Sequence, residues 1–86
     1  MRPVLSILIP TIVDRRRSFE RLVRLLSEQA AGLPVEILHD AGPEPTGVKR
    51  NRLLARAVGE YVAHFDDDDL PSDDYVVKVL AGCAEG

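Results

Sequence analysis

The chain has no tryptophan, two phenylalanines and two tyrosines, so aromatic residues make up only 5% of its 86 positions. Stacking platforms for single-stranded nucleic acid interleave aromatics with basic residues, and that pattern is missing. A single cysteine, Cys83, excludes an internal disulfide, fits a reducing compartment, and reads as a core or helix-end residue. No apolar run approaches the roughly eighteen residues of a membrane helix, and the first residues lack the order of a signal peptide. The expectation is a soluble, cytoplasmic protein with no membrane span and no nucleic-acid partner. Other chemistries are also short of parts. Ser6, Ser18, Ser27 and Ser72 sit in no nucleophile elbow, and the loop from Gly42 to Gly47 is not a Walker A sequence. His39 and His64 have no histidine or cysteine partner at ligand spacing, so both read as packed or hydrogen-bonded strand residues.

What the chain does have is a run of four aspartates, Asp66 to Asp69, directly after the apolar stretch Tyr61-Val62-Ala63-His64-Phe65. Four adjacent carboxylates repel one another and are costly to desolvate, so they belong in water or around a cation. Hard oxygen donors suit magnesium, manganese or calcium. The net charge of −3 conceals a division. Residues 1–56 carry ten basic against six acidic side chains, a net +4, whereas residues 57–86 carry one basic against eight acidic, a net −7. Such a split suits either attraction between the halves or a site where cations and a metal-loaded carboxylate cluster grip one anion.

Eighty-six residues make one small domain with one modest core. Val4 to Ile9 is a nearly continuous branched apolar run stopped by Pro10-Thr11, the pattern of a buried parallel strand. From residue 15 to 31 the period changes. Phe19, Leu22, Val23, Leu26 and Ala30 fall at helical spacing with Arg21, Arg24 and Glu28 opposite, and Gly32 and Pro34 close the helix. A second strand, Val35 to His39, runs into a glycine- and proline-rich loop beginning at Asp40. The next helix, Val48 to Val58, carries an apolar stripe of Val48, Leu54, Ala57 and Val58, and Asn51 falls at the spacing of that stripe, where it needs hydrogen-bond partners. Gly59 ends it, Glu60 to Phe65 forms the third strand, and Asp73 and Asp74 open a third helix with Val76, Val79, Leu80 and Cys83 inward.

Strand and helix alternate three times, which predicts an α/β three-layer sandwich: a three-stranded parallel sheet of order 2-1-3 with helices on both faces. Ligands bind such sheets outside the carboxyl ends of the strands, where connections diverge to opposite faces. Pro10-Thr11, Asp40 and Asp66 to Asp69 would then share one rim, with Lys49, Arg50 and Arg52 available for an anion. Arg15-Arg16-Arg17 opens the first helix, where the macrodipole disfavours cations; contact with an anionic ligand and a solvated basic turn are equal readings.

The ordered set Ser6-Ile7-Leu8-Ile9-Pro10-Thr11, Glu36 to Asp40, Lys49-Arg50-Asn51-Arg52, Ala57 to Val62 and Asp66 to Asp69 with Pro71 resembles the nucleotide-binding half of a GT-A glycosyltransferase of family 2, with a DXD-type motif after a strand. The resemblance covers residues 1–86 as one minimal domain. It implies a UDP- or GDP-sugar held with manganese or magnesium. Pro10 and Thr11 would line the nucleoside pocket and Asp40 would bond the base. Lys49, Arg52 and Asp67 would join the nucleotide-sugar site. Asp66 would sit near ribose and metal, and Asp68 would ligate the metal, with Asp67 or Asp69 as alternative ligands. Two features depart from the family pattern. Only a loop and one helix separate Asp40 from Glu60, where longer members have a further strand, and nothing before Gly86 matches the acceptor site or the catalytic base.

The leading expectation is glycosyl transfer by a small metal-dependent enzyme, its catalytic base unknown, active by itself or as a homo-oligomer assembled through open sheet edges. The alternatives are a non-catalytic nucleotide-sugar-binding module, or a donor-binding half without the acceptor site, and a plain α/β domain whose aspartates form a solvated loop.

Overall fold

In the computed structural model, which describes residues 3–85, β1 (Leu5–Pro10) lies between β2 (Val35–Asp40) and β3 (Tyr61–His64), all parallel, in the order 2-1-3. Ile7 pairs with Ile37 on one side and Ala63 on the other. The central position explains the unbroken apolar sequence of β1, since all six of its residues are buried.

The pleat divides these side chains between two layers. Leu5, Ile7 and Ile9 point to the face covered by α1 (Arg16–Ala30) and α3 (Tyr75–Glu85). Leu22 and Leu26 of α1 and Val76 of α3 complete that core, and Phe19, Val23, Ala30, Val79, Leu80 and Cys83 pack around it. The helical spacings predicted for α1 and α3 are therefore their buried faces. Each fully buried leucine or isoleucine here contributes about 1.5–3 kcal/mol. A 3-10 turn over Val13–Arg15 leads into α1, and Gly32 ends it at a φ of 76°, a left-handed conformation that costs other residues roughly 1–2 kcal/mol.

The start of α3 is held from outside. Gln29 of α1 accepts the Val76 amide at 3.0 Å and donates to the Ser72 carbonyl at 2.7 Å, so the capping role expected of Asp73 and Asp74 falls to a glutamine on another helix. Asp74 instead pairs with Lys78 at 3.2 Å.

The opposite face of the sheet carries α2 (Thr46–Arg56). Here the expected stripe is wrong. Val48, Leu54 and Val58 are 43–58% exposed and Asn51 is exposed, while Leu53 and Lys49 are buried. Lys49 and Leu53, four residues apart, form the buried side, flanked by the exposed Arg52 and Arg56, which reach the Asp40 carboxylate and the His39 carbonyl. Burial of Leu53 together with the Lys49 and Arg52 contacts at the rim sets the rotation of α2 about its axis, away from the stripe expected from its sequence. Below it, the Glu36 carboxylate accepts the Ser6 hydroxyl at 2.5 Å and the Val58 amide at 2.7 Å, and Ser6 Oγ accepts the Gly59 amide at 2.9 Å. Burial pushes the Glu36 carboxyl up, but those donors outweigh it and leave its pKa below the ordinary value.

Candidate functional site

All three strands end on one rim, and Thr11 ties them together. Its amide donates to the Asp40 carbonyl at 2.9 Å, extending the β1–β2 ladder by one bond. Its hydroxyl donates to Asp67 Oδ2 at 2.7 Å, and its carbonyl accepts Lys49 Nζ at 2.6 Å. Thr11, Lys49 and Asp67 are each at most 4% exposed. With Pro10, Ile12, Arg15 and Thr46 they enclose a polar cavity of about 130 Å³.

The four aspartates do not act alike. Asp67 turns inward, where Arg15 Nη1 reaches its Oδ1 at 3.0 Å and Thr11 holds the other oxygen. The bond from Asp67 raises the Arg15 pKa above its ordinary value. This ion pair accounts for the first of the three arginines at the head of α1, and a 2.9 Å pair with Glu20 accounts for Arg16. Asp66, Asp68 and Asp69 remain in solvent, with one carboxylate oxygen of each within 4.8 Å of the others. Three hard oxygen donors converging in water form a donor set that suits magnesium or manganese completed by waters or phosphate oxygens. Of the alternatives left open by the sequence, Asp69 stands in this trio and Asp67 does not.

At the end of β2, Asp40 accepts the Gly42 amide at 2.9 Å and a two-pronged contact from Arg52 at 2.7 and 2.9 Å. The Gly42 amide and then the Arg52 guanidinium hold its carboxyl below the ordinary range. Arg52 also reaches Glu44 at 2.6 Å. Lys49 and Arg52 are thus engaged within the chain, while Arg50 stands more loosely, 3.9 Å from Asp66 and half-exposed.

Beside this polar corner lies an apolar cleft the sequence did not reveal. Thr11, Ile12, Val13, Phe19, His39 and Ala41, with the Arg16–Glu20 ion pair at the wall, line a cavity of about 300 Å³. Ile12, Val13, Ala41, Gly42 and Pro43 border a second of about 250 Å³. The His39 ring, exposed near the end of β2, rests against Phe19 with centroids 4.8 Å apart. These residues come from the β1–α1 and β2–α2 connections and the adjoining ends of α1 and β2, which the parallel topology brings together. Among the described residues, no helix is long and apolar enough to cross a membrane.

Compared with models of protein families, with curated proteins and with solved structures, the chain gives no match.

Proposed function

We propose that the rim binds a nucleoside-diphosphate sugar together with manganese or magnesium, and that the protein transfers the sugar. The observation that carries this reading is the placement of the exposed Asp66, Asp68 and Asp69 trio on the same sheet edge as the Thr11 and Asp40 corner and its apolar cleft. A ligand with a flat base at one end and a diphosphate at the other matches an edge that is apolar at one end and donor-rich at the other. Pro10 and Thr11 face the nucleoside, and Asp40, kept charged by Gly42 and Arg52, accepts from a base N–H. Lys49 and Arg52 serve the ligand indirectly, by fixing Thr11 and Asp40. Asp67 braces the corner, and Arg50 and Arg15 bring positive charge to it.

Asp66, Asp68 and Asp69 would hold the metal, which when bound neutralises diphosphate charge and stabilises the leaving group. A second reading, binding without transfer, is favoured by the engagement of both inward carboxylates: Asp67 is bonded to Thr11 and Arg15 and Asp40 to Gly42 and Arg52, so neither stands free as a base for an acceptor hydroxyl.

A thermal-shift series with UDP- and GDP-sugars, with and without manganese, tests binding, because a ligand of the native state raises the melting temperature. A metal-dependent rise is expected, and Asp68→Asn should abolish it; a rise undiminished in that variant removes Asp68 from the metal site. Turnover with the same donors separates the two readings: transfer or hydrolysis supports the enzyme, and binding without turnover supports the module.

A further inference from the structure

We propose that β3 is the pairing edge for a second copy of this chain, joined antiparallel about a two-fold axis at Val62 into a continuous six-stranded sheet. The two open edges of the sheet are unequal. Arg56 covers the outer side of β2, donating to the His39 carbonyl at 3.2 Å, and charge on an edge resists strand addition. On β3 the amides of Tyr61 and Phe65 donate inward, to the carbonyls of Val4 and Leu8. Alternation therefore turns the N–H and C=O groups of Val62 and His64 outward. The middle of this edge is apolar and only partly covered, with Tyr61 and Val62 each 40% exposed between Glu60 and His64.

Side-chain pairing across the axis favours one register. A two-fold axis perpendicular to the sheet preserves its faces, so even-numbered residues must meet even-numbered ones. With Val62 on the axis, Glu60 stands opposite the second copy's His64, and Tyr61 stands opposite the second copy's Ala63. Val62 meets itself, and the outward backbone groups of residues 60, 62 and 64 all find partners. Sliding by one residue, to place Ala63 on the axis, sets Glu60 against the second copy's Asp66, and like charges directly opposed are destabilising. Glu60 and His64, set two residues either side of a valine, can hydrogen-bond to each other across the pair in the Val62 register, which is thereby favoured over the Ala63 one and keeps each aspartate run beyond the paired stretch.

Sedimentation equilibrium on the whole chain should show a concentration-dependent dimer. Val62→Lys, at an exposed position, should raise its dissociation constant by at least about a hundredfold with the circular dichroism unchanged, since two ammonium groups meet on the axis. Glu60→His should weaken the dimer about tenfold, and adding His64→Glu should restore it. In a Cys83→Ala background, Val62→Cys should cross-link to itself on oxidation; this variant decides the matter should Val62→Lys fail to fold. A monomer at every concentration, or a dimer indifferent to Val62→Lys, overturns the proposal. Cross-linking through Ala63→Cys in place of Val62→Cys overturns its register.

Discussion

Thr11 uses its amide, hydroxyl and carbonyl to reach three different elements, so its loss should be felt beyond its size. Replacing it by valine preserves shape but removes the donor that Asp67 meets at 2.7 Å inside the rim. A buried carboxylate short of a donor costs about 1–3 kcal/mol. Thr11→Val should therefore lower the unfolding free energy by that amount in urea titration, and an unchanged midpoint would show that Arg15 alone satisfies Asp67. The aspartate run itself was plain in the sequence. Which of its four members turns inward was not, because the partners that decide it, Thr11 and Arg15, lie 56 and 52 residues away.

Among the elements, α1 and α3 were legible because their inward faces meet a purely apolar layer, where the hydrophobic period alone sets the rotation. α2 was misread because the layer it meets is mixed, with buried Leu8 and Leu53 beside buried Lys49 and Ser6. Lys49 to Thr11, Arg52 to Asp40 and Arg56 to His39 decide which side faces the sheet, and none of these pairings leaves a local mark. Gly59 shows the same limit. The sequence pattern places it at the end of α2, but α2 stops at Arg56 and Gly59 lies in the connection to β3. Its closest constraint there is β1: a Cβ would lie 2.6 Å from Ser6 Oγ, 2.7 Å from Ser6 N and 2.9 Å from the Leu5 carbonyl carbon. Backbone cannot move aside as a flexible side chain can. Gly59→Ala should cost about 1–3 kcal/mol through overpacking, measured by chemical denaturation, and a neutral result would show that the connection into β3 can shift.

Taken whole, the molecule joins a basic first part to an acidic second part, and several carboxylates are stabilised in their charged form. Glu36, Asp40, Glu44 and Asp74 all have pKa values below their ordinary ones. A carboxyl whose folded pKa is depressed adds stability that is complete above its unfolded pKa and is lost as pH falls through the folded value. Unfolding free energy should be level near neutrality and decline below about pH 4.5, the ordinary value for Glu36. Glu44 and Asp74 are the more exposed pairs and add little, because solvent screens them. Glu36→Gln should make the acid decline shallower when urea midpoints are compared across this range. An equal slope would mean that the Ser6, Val58 and Gly59 contacts are retained when Glu36 is protonated.

The sequence by itself determined the alternation of three strands and three helices, the parallel sheet of order 2-1-3, the two helices that close the apolar layer, and the edge where the aspartates emerge. Those follow from periodicity and connection handedness, which act within a few residues or through general rules of chain crossing. Only the tertiary structure decided the rotation of α2, the inward turn of Asp67, the apolar cleft beside His39 and the difference between the two sheet edges. Each depends on a polar or steric contact between residues far apart in the chain. Such contacts are chosen by what the fold brings within reach, which the local pattern of residues does not encode.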